Sequence, residues 1–147
     1  MVRGYDRIIR EKMQEHFPDT DGVLWFYDGV MPTLNTLCIL GRKYFERFGY
    51  IYHEDYISLW ADNEFGTVAN NLGKQVRFDD VIIKHMHPAH GLADYDHIYN
   101  LNEKYFNLDG EVFRAREAAG FPTRSVLRGK DLEKQWDHDV KSGKRNA

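Results

Sequence analysis

The feature that most narrows the fold is a short apolar and aromatic run, Gly22–Tyr27 (GVLWFY), closed by Asp28-Gly29. A run this brief, ended by a turn pair, reads as a buried strand and not a helix. Upstream, Ile8, Ile9, Met13 and Phe17 recur at helical spacing, and Pro18 with the Asp19-Thr20-Asp21-Gly22 cluster stops that helix. Downstream, Thr36–Leu40 (TLCIL) reads as a second buried strand, and Arg42–Phe48 as a short helix closed by Gly49. Strands alternating with helices give an α/β class with a mixed sheet.

The same reading continues to the end of the chain. Tyr50–Trp60 is an aromatic loop, and Asp62 is placed as the N-cap of a helix over Asn63–Leu72 that Gly73 ends. Gln75–Phe78 and Val81–His87 read as strands. Ile98, Leu101, Tyr105 and Leu108 suggest one helix, and Val112, Phe113 and Ala119 another, ended by Gly120-Phe121-Pro122. Residues 124–147 are polar, with a helix expected around Asp131 to Val140 and a frayed end beyond it. The expected organisation is therefore a domain over residues 1–123 and a basic tail over 124–147.

Charge and composition exclude several classes. The 147 residues carry a net charge of -3, but residues 1–123 hold 13 basic and 19 acidic side chains while 124–147 hold 7 and 4. An acidic domain lacks the dense basic surface of a sequence-independent nucleic-acid binder. No apolar run approaches the roughly 20 residues of a membrane span, and no signal-type apolar region opens the chain, so a cytoplasmic location is expected. Cys38 is the lone cysteine, which leaves no intrachain disulfide and no CxxC metal site.

Three constellations carry potential chemistry. In His85-Met86-His87-Pro88-Ala89-His90-Gly91, a strand would project His85 and His87 to one side, as two metal ligands or as hydrogen-bonded structural histidines. In Trp60-Ala61-Asp62-Asn63-Glu64, both carboxylates suit a helix start, and either suits a general base beside an aromatic wall. In Trp25-Phe26-Tyr27-Asp28-Gly29, the Asp leaves a strand where open α/β sheets place ligands, though an Asp-Gly turn accounts for it equally well. The chain holds no Gly-rich phosphate loop and no GxSxG elbow.

The histidine string is similar to the HxHxDH pattern of the metallo-β-lactamase superfamily. His85, His87, His90 and Gly91 match it, while Ala89 stands where that family has a ligand of its second metal. A broader similarity, spread in order over residues 1–122, is to family-2-like GT-A glycosyltransferases. Gly4-Tyr5-Asp6-Arg7-Ile8, Val23–Gly29, Leu40–Tyr50, Trp60–Phe65, Val81–Pro88, Asp96–Tyr99 and Arg116…Gly120-Phe121-Pro122 resemble successive segments of that family.

This resemblance implies a partial GT-A-like mixed sheet flanked by helices. It also implies transfer of a sugar from a nucleotide-sugar to a carbohydrate or similar hydroxyl acceptor. It assigns Asp62 as the base, with Glu64 orienting it or sharing the role. His85 and then His87 become ligands of Mn2+ or Mg2+, and Trp25, Asp28 and Trp60 become acceptor contacts. The family's DxD motif has no counterpart after a buried strand: Asp19-Thr20-Asp21, Asp94-Tyr95-Asp96 and Asp137-His138-Asp139 lie elsewhere. The chain thus resembles the acceptor-side part, expected to self-associate or to join a donor-binding partner. A non-catalytic binding or assembly module and a metal-dependent hydrolase using the HxHxxH string are the rival expectations.

Overall fold

The computed structural model describes residues 2–85 and 97–146. Among the described residues, eight elements follow in chain order: α1 (Tyr5–His16), β1 (Val23–Phe26), β2 (Ile39–Leu40), α2 (Arg42–Phe48), α3 (Ala61–Asn71), β3 (Gln75–Phe78), α4 (His97–Ala118) and α5 (Gly129–Lys141). They fall into two units. One holds residues 2–51 and 65–85, the other residues 52–64 and 97–146. The helix α3 begins in the second unit and ends in the first. The α/β class with a mixed sheet is what the structure shows.

The first unit is built on a three-stranded sheet of order β2-β1-β3. The central strand β1 pairs antiparallel with β2, and parallel with β3 in the register Val23↔Gln75 to Phe26↔Phe78. Alternation along β1 sends its side chains to two apolar clusters. Leu24 and Phe26 pack with Ile82 against Tyr5, Ile8, Ile9, Met13 and Phe17. Val23 packs with Tyr44, Phe65 and Ala69. The helical spacing read in the first segment is thus the stripe that α1 lays on the sheet. At Gly41 the chain passes so close to Thr20 that an added Cβ would lie 2.0 Å from its carbonyl oxygen. There the Thr20 hydroxyl accepts from the Lys43 N–H at 3.1 Å, in the first turn of α2.

Three expected elements differ. The second strand is confined to Ile39–Leu40, because Asn35 Oδ1 accepts from the Leu37 and Cys38 N–H groups and Cys38 turns left-handed at φ 47°. Cys38 is accordingly half-buried beside the strand and not within it. No strand forms over residues 81–85, where isolated bonds (Val2 N–H to the Ile82 carbonyl, His85 N–H to the Asp28 carbonyl) replace a ladder. The same-face argument for His85 and His87 therefore loses its strand at His85, and His87 lies outside the described residues. Finally, the two helices expected after Ile98 are one 22-residue helix, α4, running through Gly110.

The second unit has an interior of a different kind. Tyr56, Leu108 and Val112 are buried there, together with Asp55, Glu64, Asp109 and Arg116. Residues on both sides of position 123 belong to it. Lys104 of α4 bonds Glu133 and Asp137 of α5 at 3.2 and 2.9 Å, and the Tyr105 hydroxyl donates to Glu133 at 3.0 Å.

Candidate functional site

Asp28 lies just past the C-terminal end of β1, beside the parallel strand β3, the edge where open α/β sheets bind ligands. Its side chain is buried, and both oxygens are engaged within the protein. Oδ1 accepts from the Val30 and Met31 N–H groups at 2.8 and 2.7 Å. Oδ2 accepts from the Thr36 hydroxyl at 2.6 Å and faces His85 Nδ1 at 3.3 Å. The turn role and the ligand-edge position read from Asp28-Gly29 therefore coexist. Burial alone would raise this carboxyl, but the Thr36 hydroxyl, the two N–H groups and His85 outweigh it and hold it below the ordinary carboxylate range. It stays ionised at neutral pH.

His85 is held twice by the same residue, through its backbone N–H to the Asp28 carbonyl and through its ring. A carboxylate can only accept, so Nδ1 carries a proton and donates it to Asp28. A carboxylate behind an imidazole is the arrangement that orients histidine ligands of metals. The His85 side chain is 41% exposed, so the ring is accessible from outside. Among the described residues no group of three His, Cys, Asp or Glu side chains is placed to hold a metal ion. His87, His90 and the Asp94-Tyr95-Asp96 string lie outside the described residues. The donor chemistry fits a transition ion better than Mg2+, which takes oxygen ligands and water.

Trp25 belongs to the same unit. It pairs in register with Arg77 of β3, whose guanidinium sits 4.9 Å from the indole centroid. The cation covers one ring face, so any acceptor contact there would have to share the site with Arg77.

The other candidates belong to the second unit. Asp62 is the second residue of α3 and not its cap, since the helix starts at Ala61 after Trp60 turns left-handed at φ 65°. Its Oδ1 accepts from the Asn63 N–H at 3.0 Å. Glu64 follows on the first turn but faces inward. Arg116 Nε and Nη2 each donate to one of its oxygens at 2.8 Å, a bidentate pair. Arg116 Nη1 donates to Asp55 Oδ2 and the Arg124 carbonyl, both at 3.1 Å, and Nη2 also donates to the Pro122 carbonyl at 2.6 Å. All five guanidinium N–H groups are thus used within the protein. A carboxylate gripped in this way anchors α3 and is a poor base.

Four residues that organise this unit were not singled out for chemistry from the sequence. Asp55 accepts from the Ser125 hydroxyl, the Val126 N–H and Arg116. Asp109 accepts from three successive N–H groups, those of Ile57, Ser58 and Leu59, at 2.8–2.9 Å. His53 takes the Asp55 N–H on Nδ1, so Nε2 donates to the Thr123 carbonyl at 2.9 Å. Burial and the neighbouring Glu64 carboxylate push the Tyr56 hydroxyl far above its ordinary range. The legible signal was that Asp109 and Arg116 interrupt the α4 stripe of Tyr105, Leu108 and Val112.

No family model matches the chain, and no match was found among curated proteins or solved structures. No helix among the described residues is long and apolar enough to cross a membrane.

Proposed function

We propose that this chain is a glycosyltransferase-like domain that uses a nucleotide-sugar and a hydroxyl acceptor with a divalent metal, Mn2+ in preference to Mg2+. The observation that carries the reading is the double hold of Asp28 on His85 at the C-terminal edge of the parallel β1–β3 pair. It gives an oriented, accessible imidazole at the sheet edge suited to a ligand. The ordered similarity of the segments supplies the reaction class. A bound metal would neutralise charge developing on the diphosphate leaving group.

Calorimetry tests this directly. Titrating UDP- and GDP-sugars into the protein should give binding heat that requires Mn2+, weakened roughly tenfold or more by His85→Ala, as loss of a metal ligand or its orienting partner does. Absence of heat with every donor sinks the proposal. The internal commitment of Asp28 and Glu64 favours one rival, a binding module that keeps the fold without the chemistry. Acceptor binding without donor binding would select it.

A further inference from the structure

The approach to Asp62 contains a second built feature. Trp60 holds a left-handed backbone, φ 65°, which a bulky side chain adopts only when its surroundings impose it. Three contacts impose it here. Asp109 grips the N–H groups of Ile57, Ser58 and Leu59, the three residues just before it. The Trp60 indole N–H donates to the Phe106 carbonyl at 3.0 Å. Gly110 leaves room for the indole, since a Cβ there would meet Trp60 Nε1 at 3.4 Å.

The result is an aromatic surface. Trp60 lies 5.2 Å from Phe106 and 5.3 Å from Phe113, centroid to centroid. Phe106 is 55% exposed, among the most exposed large apolar side chains described. With its N–H turned into the protein, the indole has no polar atom left to offer a ligand and presents ring carbon. Phe106, Gly110, Phe113 and Arg114 share one stripe of α4, at i, i+4, i+7 and i+8. Arg114 Nη1 approaches the same point above Gly110, also at 3.4 Å. Arg114 is exposed and, among the described residues, its guanidinium makes no hydrogen bond or ion pair.

We propose that Trp60 and Phe106 form a stacking platform for a pyranose ring, with Arg114 as its hydrogen-bond donor. The carbon face of a pyranose packs on aromatic rings, while its hydroxyl or carboxylate groups suit a guanidinium. This rests on the glycosyltransferase reading for the meaning of the site, but not for its existence.

Saturation-transfer NMR on the full chain tests it, with methyl β-glucopyranoside, methyl β-galactopyranoside, methyl α-mannopyranoside and methyl β-glucuronide as probes. The expected result is transfer to the ring C–H protons of one face of at least one probe. Phe106→Ala should weaken that probe's binding roughly three- to tenfold, and Phe106→Tyr should preserve it. Arg114→Gln should also weaken it, most for the glucuronide. Because Phe106 and Arg114 are exposed, these variants should keep the unfolding temperature of the parent. No transfer to any probe, or unchanged affinity in Phe106→Ala, overturns the proposal. Pyranoside binding without Mn2+-dependent donor binding would keep the platform and discard the transferase reading. Donor binding without pyranoside binding would do the reverse.

Discussion

Arg116 shows how much one side chain can organise. It is fully buried, faces two carboxylates and two carbonyls, and donates all five of its N–H groups. Removing it leaves Asp55 and Glu64 as buried anions without their cation, a change that costs about 3–5 kcal/mol. For a chain of this size, Arg116→Met should lower the unfolding temperature by about 10 °C. A drop of only a degree or two in thermal denaturation would show that water already reaches the cluster. Lysine would not restore it, since an ammonium cannot reproduce the planar fork. Acid should find the same weak point. Burial would raise the Asp55 carboxyl, but the Ser125 hydroxyl, the Val126 N–H and Arg116 outweigh it and hold it low. A carboxyl whose folded value is depressed contributes its stability above the unfolded value and loses it as pH falls through the folded one. Stability should therefore be level from neutral pH down to about pH 5 and fall below about pH 4. Melting curves across that window, with Asp55→Asn giving a lower but flatter profile, check the assignment.

The elements were legible where periodicity and turn chemistry agreed. The predicted α2 and β3 coincide with the observed Arg42–Phe48 and Gln75–Phe78, because Gly49 and Gly73 adopt the left-handed turns expected after helices. The stripe Ile8, Ile9, Met13, Phe17 likewise meets the sheet as its spacing requires. The sequence reading failed where a polar side chain chose the backbone path. Asn35 shortens β2 by capping the preceding N–H groups, and apolar content cannot show that. The stripe ending at Leu108 and the one starting at Val112 read as two helices. In the structure Asp109 instead turns its carboxylate to the 57–59 loop, and α4 continues past Gly110, which accommodates Trp60. Asp62 was visible as a helix-start residue, but its displacement into the helix depends on the left-handed Trp60, a tertiary effect. The inward turn of Glu64 was equally invisible, since its partner lies 52 positions away.

At the level of the whole chain, the division into units does not follow the charge profile. The basic segment after position 123 is woven into the second unit. Ser125 and Val126 bond Asp55, and the Gly129 N–H donates to the Asp55 carbonyl at 2.7 Å. A chain ending at Thr123 should therefore lose the second unit and not merely a frayed tail. Each buried partner left unsatisfied costs about 1–3 kcal/mol. Hydrogen exchange should become fast at residues 53–60 in that truncation, whereas unaltered protection there would mean the segment is an appendage after all.

The order in which the chain is made gives the buried cluster a further consequence. Asp55 and Glu64 leave the ribosome well before Arg116, so both anions must wait in water for their counter-ion. The strip that carries Trp60 and Asp62 acquires its native form only when the last third of the chain arrives. The 57–59 loop thereby gains the carboxylate that holds its three N–H groups only once Asp109 has been made.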